Sequence, residues 1–169
     1  MDDAELALCL QINRYGRQVT LRRFFWAVSR LGDGMFWYAL LLVLPIMYSH
    51  QGAMVSLHAG LTALAGVAIY KYLKEHLVRA RPFLKDASIE CGAPILDQYS
   101  FPSGHTLHAV AFSTMLFHYF PHIFWLVLPF AILVATSRVL LGLHYPSDVL
   151  AGGVIGFVIA RISIAALGG

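Results

Sequence analysis

Charge is what this chain has least of. Only 12% of its 169 residues are Asp, Glu, Lys or Arg, against 59% hydrophobic residues and a mean hydropathy of +0.69. A soluble domain carries about 25% charged residues, so the deficit excludes an ordinary soluble fold and predicts an integral membrane protein. The net charge is only +3 and no Lys/Arg run stands out, which argues against nucleic acid as a partner; an anionic lipid or phosphate suits the balance better. Cysteine is nearly absent. Cys9 and Cys91 are the two present, with no C-x-x-C pair, so a thiolate zinc site is not expected, and no cofactor is expected. There is no internal repeat and no low-complexity tract, and the length suits one domain, 1–169. The first 18 residues carry acids, Asn and Arg rather than an apolar core, so no cleavable signal peptide is expected.

Long hydrophobic runs supply what is there. Five spans are predicted, at roughly 34–49, 53–76, 103–120, 122–142 and 147–167, each near the ~20 residues a helix needs to cross ~30 Å of hydrocarbon. The expected fold class is therefore an all-α, integral membrane helical bundle. The second and fifth spans are rich in Gly and Ala, which let helix backbones approach closely in lipid. Residues 1–33 differ. Leu21, Phe24, Phe25, Val28 and Leu31 recur at helical spacing opposite Arg22, Arg23 and Arg30, which predicts amphipathic interfacial helices anchored by Phe25 and Trp26 or packed on the bundle. Gly32-Asp33-Gly34 is expected to break the chain before a catalytic bundle over 34–169.

Three polar islands interrupt the apolar runs: Lys74 with Arg81-Pro82; Pro102-Ser103-Gly104-His105; and Ser137-Arg138 followed by His144 and Asp148. Charged groups beside a bilayer are expensive, and those kept there usually have a task. With alternating crossings, the ends of the spans bring all three islands to one membrane face. Cleaving a phosphate ester requires charge on three equatorial oxygens to be neutralised and an attacker held in line. Lys74, Arg81 and Arg138 offer that positive charge, the arginines as planar forks. Ser103 and Gly104 open a helix whose free N–H groups suit an anion. His105 is placed to protonate a leaving oxygen. Asp148, near His144, fixes the tautomer of that imidazole and leaves its other nitrogen free to attack phosphorus.

Lys74, six residues, Arg81-Pro82; Pro102-Ser103-Gly104-His105; and Ser137-Arg138, five residues, His144, three residues, Asp148 together resemble the three-part signature of the type-2 phosphatidic acid phosphatase superfamily. All three parts match in order over residues 74–148. The resemblance implies a metal-independent phosphatase acting on a membrane lipid phosphate. It implies His144 as the nucleophile that forms a phosphohistidine, Asp148 as its partner and His105 as the general acid. Lys74, Arg81, Ser103, Gly104 and Arg138 are implied to hold the phosphate. Undecaprenyl pyrophosphate, phosphatidylglycerophosphate, phosphatidic acid and the lipid A 1-phosphate are the candidate substrates. A phosphotransferase of the same mechanism and a non-catalytic lipid-phosphate carrier are the alternatives. Vanadium haloperoxidases resemble the same signature, but they are soluble and larger. Many bacterial relatives resemble a six-span pattern with a periplasm-facing site; by the spans counted here, the first of those six is not expected.

Other residues carry less. His108 is one turn beyond His105 and expected to line the pocket. Arg79 and Lys85 are expected to touch headgroups, and Asp97 and Tyr99 to gate the loop over 83–101. His118, His122 and Arg161 belong to the far face. The site face carries eleven of the twelve Lys+Arg, all but Arg161, which by the positive-inside rule would make it cytoplasmic. The resemblance points instead to the periplasmic side of a bacterial inner membrane, where a Cys9–Cys91 disulfide would be permitted.

Overall fold

The computed structural model describes residues 2–95 and 97–167. Its helices are α1 (Asp2–Tyr15), α2 (Val19–Arg30), a π turn (Leu31–Met35), α3 (Phe36–His76), the short α4 (Pro82–Lys85), α5 (Gly104–Tyr119), α6 (Pro121–Leu140) and α7 (Pro146–Leu167). No strand occurs among the described residues. By length and composition three helical stretches are apolar enough to cross a membrane: Val19–His76, Pro121–Leu140 and Pro146–Leu167. Proline at the first residue of α6 and of α7 starts each helix where its missing N–H costs nothing.

The first of those stretches is bent twice. Tyr48 and Ser49 leave helical geometry, Ser49 at φ 49°, three residues after Pro45. The chain doubles back there, since the Ser56 hydroxyl donates to the Leu41 carbonyl at 2.8 Å. The two limbs of α3 thus correspond to the first two predicted spans, with the turn a little earlier than 50–52. The other bend is at the glycines expected to break the chain. Gly32-Asp33-Gly34 does break the helix: Gly34 at φ 144° and ψ −32° leaves helical geometry, and α2 and α3 meet there across a kink. Ser29 accepts from Arg138, Gly32 faces Val134, Phe36 stacks 4.0 Å from Phe130 and Tyr48 4.3 Å from Phe120. The path from α2 to the end of the first limb therefore runs antiparallel along α6. Phe25, expected as an interfacial anchor, is buried against Leu140, Leu141 and Leu143, whereas Trp26 is exposed. Arg22 ties the first turn of α2 to Glu90 at 2.7 Å.

Helix α5 is the hub. The Trp37 ring stacks on Phe112 at 4.9 Å, and His108 reaches the Ala63 carbonyl on the second limb of α3 at 3.2 Å. Lower down, His58 lies 3.1 Å from the Tyr119 hydroxyl and 2.8 Å from Ser163, and Thr62 lies 2.7 Å from Ser163. Such side-chain bonds join helices that have no hydrophobic driving force between them in lipid. Helices α5 and α7 approach very closely. A Cβ on Gly152 would stand 2.4 Å from the Ser103 carbonyl, and one on Gly156 would stand 2.2 Å from that of Leu107. These glycines let α7 seat its first turn directly beneath the start of α5, where two of the polar islands meet. At the opposite end His122 lies 2.6 Å from the Tyr48 hydroxyl, and Arg161 is exposed along α7.

Gly152→Val should therefore force α7 off α5. The expected loss is about 1–3 kcal/mol, as for overpacked cores generally, read as a lowered thermal midpoint in detergent. An unchanged midpoint would contradict the close packing.

Candidate active site

The structure brings Lys74, Arg81, Gly104, His105, Arg138 and His144 onto the wall of one cavity of about 990 Å³. Residues from 32 to 144 contribute to that wall, so the meeting point is a product of the fold alone. Below the polar end the cavity is lined by Leu41, Leu57, Gly60, Leu61, Leu64 and Val67 from the limbs of α3. Several of these are exposed apolar residues, so the cavity is polar at one end and open to hydrocarbon along its side.

Three cations are buried there: Lys74, Arg81 and Arg138. Lys74 donates to Asp97 Oδ1 at 2.6 Å and to the Tyr99 carbonyl at 2.8 Å. Arg81 donates through Nη2 to the same carboxylate oxygen at 2.6 Å and through Nη1 to the Leu143 carbonyl at 2.8 Å. Asp97, in the long loop, thus bridges the two cations. Burial alone would raise its carboxyl, but the Lys74 bond and charge, with Arg81 and His144, hold it below the ordinary carboxylate value. Arg138 bonds Ser29, while its Nε is buried without a protein partner. That orphan is the kind of donor a ligand satisfies.

His144 follows the turn that ends α6. Its Nε2 is 3.5 Å from Arg81 Nη1. Its Nδ1 is 3.7 Å from Asp148 Oδ2, within ion-pair range but beyond a hydrogen bond. Catalytic hydrogen bonds are often long before substrate binds. Asp148 is itself held from several sides. Oδ2 accepts from the Ser100 hydroxyl and from the Tyr145 N–H at 2.8 Å, and Oδ1 accepts from Arg79 Nη1 at 2.6 Å. Burial pushes the His144 imidazole down to about 3; the Asp148 carboxylate opposes this, and Arg138, Arg81 and Lys74 add to it.

Ser103 is fully buried behind the wall, where it caps α5: its side chain accepts from the Thr106 N–H, and its own N–H donates to the Asp148 carbonyl at 3.0 Å. Gly104 and His105 are on the wall, so the positive end of α5 faces the cavity. His105 Nε2 pairs with Asp33. His108 lines the cavity as expected and lies 2.8 Å from the Gly104 carbonyl.

Arg79 overturns the expectation that it touches headgroups. It turns inward, lies 4.0 Å over the Tyr145 ring and joins Asp148 to Glu5 of α1, 2.7 Å away. Glu5 also accepts from the Ser147 N–H at 3.0 Å and hydroxyl at 2.9 Å, so it caps α7. Burial raises the Glu5 carboxyl, but its bonds to Arg79 and Ser147 win and hold it below its ordinary value. Arg79, Glu5, Ser100 and Asp33 escape the sequence reading because each acts through a partner at least 48 residues away. The permitted disulfide is not formed. Cys9 is a buried thiol pushed up to about 12, chiefly by burial, and Cys91 donates to the Ala93 carbonyl at 3.3 Å. Among the described residues no group of three or more His, Cys, Asp or Glu side chains is placed to hold a metal ion.

Comparison with known proteins follows the same lines. Residues 55–168 match the family described as the PAP2 superfamily. Undecaprenyl-diphosphatase BcrC of Bacillus subtilis (strain 168) is 32% identical over 123 residues, covering 72% of this chain and 63% of that protein. The chain thus spans less than two thirds of that relative. LpxE of Aquifex aeolicus superposes with a TM-score of 0.80 at 28% identity, covering 95% of this chain and 94% of LpxE. A transmembrane PAP2-type phosphatidylglycerolphosphate phosphatase from Bacillus subtilis shares the fold, with a TM-score of 0.77 at 24% identity over 98% of this chain and 85% of that one.

Because burial and three cations all oppose its protonation, the His144 ring should stay neutral between about pH 5 and 8, the window in which an unperturbed imidazole titrates. Nitrogen chemical shifts of the ring in detergent check this; protonation near the ordinary histidine value would refute it.

Proposed function

Because the chain belongs to the PAP2 superfamily, we propose that it is a membrane enzyme that removes a terminal phosphate or pyrophosphate phosphoryl group from a lipid. The observation that carries this reading is one cavity whose polar end holds three buried cations with the imidazoles of His105, His108 and His144 and whose flank is apolar and open. A soluble phosphate ester needs no such flank. A lipid enters it sideways, with its tail still in hydrocarbon. The chain acts as one domain, 1–169, with 1–33 as an interfacial segment and 34–169 as the catalytic bundle. It sits in a bacterial inner membrane with the site facing the periplasm.

In the proposed mechanism Lys74, Arg81 and Arg138 bind the phosphoryl oxygens, with Gly104 and the first turn of α5, capped by Ser103, adding backbone donors. Fixed donors in a water-poor site stabilise developing charge without reorganising. Nε2 of His144 attacks phosphorus while Asp148 closes on Nδ1 and stabilises the ring as it becomes positive. The bond to the leaving oxygen breaks, and its electron pair takes a proton from His105. Water then attacks the phosphohistidine; His105 accepts the proton from that water, and inorganic phosphate leaves. The first step of this sequence needs His144 neutral, and burial among cations supplies that state. Asp97 must share Lys74 and Arg81 with the arriving phosphate, which makes the loop bearing it part of the binding event. No metal takes part in this scheme.

Phosphate release from a panel of purified lipid mono- and diphosphates in detergent tests the reading. His144→Ala and His105→Ala are expected to abolish turnover while the protein still folds, and activity is expected to persist in excess chelator. Wild-type rates in both variants would overturn the roles; a chelator-induced loss restored only by added metal would overturn the metal-free route. Transfer of labelled phosphate to a second lipid rather than to water would identify a phosphotransferase.

A further inference from the structure

Asp33 has no part in the scheme above, yet local structure is built around it. It occupies the centre of the π turn Leu31–Met35. Gly34 takes φ 144°, a conformation that a residue with a side chain rarely adopts. A Cβ on Gly32 would stand 3.0 Å from Val134 and 3.7 Å from the His105 ring, so the turn lies tight against α6 and the start of α5. The outcome is a carboxylate on the cavity wall with both oxygens engaged. Oδ1 pairs with His105 Nε2, and Oδ2 accepts from Arg30 Nη1 at 2.9 Å. The cavity therefore carries two imidazole–carboxylate pairs, His144 with Asp148 and His105 with Asp33.

We propose that Asp33 is the positioning residue of the general acid: it holds His105 by Nε2, favours the protonated ring against its surroundings, and leaves Nδ1 to deliver the proton to the leaving oxygen. The inference rests on the reading of His105 as that acid. The surroundings make such a partner necessary. The charged and titratable groups facing His105 are Arg138 of α6, His108 of its own helix and Asp33, with Arg30 behind Asp33. Burial first, and then Arg138, work against a protonated imidazole, and Asp33 is the anion among these groups. In the first chemical step the proton passes from Nδ1 to the leaving oxygen as the phosphorus–oxygen bond breaks, while the Nε2–H stays with Asp33, which remains ionised. In the second step Nδ1 takes a proton from the attacking water, and the ring is again a cation.

The test compares two esters with the same hydrocarbon tail: an alkyl phosphate, whose alkoxide must be protonated to leave, and an alkyl-substituted nitrophenyl phosphate, whose phenolate leaves unaided. Asp33→Asn in the full-length protein is expected to slow the alkyl ester about 100-fold, the lower range for general acid catalysis, and to leave the nitrophenyl ester near its wild-type rate. The basic limb of kcat should move to lower pH, because an imidazole without its anion loses its proton sooner. Asp33→Glu should restore most of the alkyl-ester rate. Equal losses on both esters, indicating a merely structural part, would overturn the proposal, as would undiminished alkyl-ester turnover. If the Asn variant fails to fold, nitrogen shifts of His105 in the wild-type protein with inorganic phosphate bound decide the matter: a doubly protonated ring at neutral pH supports the proposal and a neutral ring sinks it. Failure of the underlying reading is separately visible, since wild-type protein would then turn over neither ester or His105→Ala would remain fully active on the alkyl ester.

Discussion

Three positive side chains buried around one cavity at the edge of an apolar bundle repel one another and have lost most of their water. That constraint organises the rest of the structure. Isolated charges in such surroundings carry a desolvation penalty of several kcal/mol each, so each cation is met by something fixed. Lys74 and Arg81 share Asp97. Arg81 also takes the Leu143 carbonyl, and Arg138 takes Ser29. Only part of the donor capacity is used: Arg138 Nε has no protein partner. An anion placed among these cations would relieve repulsion already present.

The same cations set the two imidazoles apart. His144 is enclosed, with Asp148 close but not yet in hydrogen-bond contact, whereas His105 is in direct contact with a carboxylate. Two chemically identical side chains thus differ in their nearest partner: an arginine for Nε2 of His144 and a carboxylate for Nε2 of His105. The backbone arranges this economically. Gly152 and Gly156 bring the helix bearing Asp148 against the helix bearing His105, and the π turn brings in Asp33.

Much of this was legible in the sequence. The apolar runs give the helices within a few residues, because hydrophobic length is a direct physical requirement of the bilayer. The spacing within each polar island is local and survives in the linear chain, and alternation of crossings predicts that the islands share a face. What was not legible depends on pairs far apart. Nothing in the string says that Glu5 meets Arg79, that Asp33 meets His105, or that Phe25 turns inward while Trp26 remains exposed. Gly32-Asp33-Gly34 reads as a breaker and does interrupt the helix at Gly34, but that the break seats Asp33 against His105 is not readable from composition. Ser103 also caps α5, its side chain accepting from the Thr106 N–H, a second task that its place in the string does not announce.

Glu5 lies in α1, and the groups it grips, Arg79 and Ser147 in the opening turn of α7, stand 74 and 142 residues further along the chain. Asp148 is therefore clamped only when α7 has come back against α1. Loosening α1 would free Arg79 and, through it, the carboxylate beside His144.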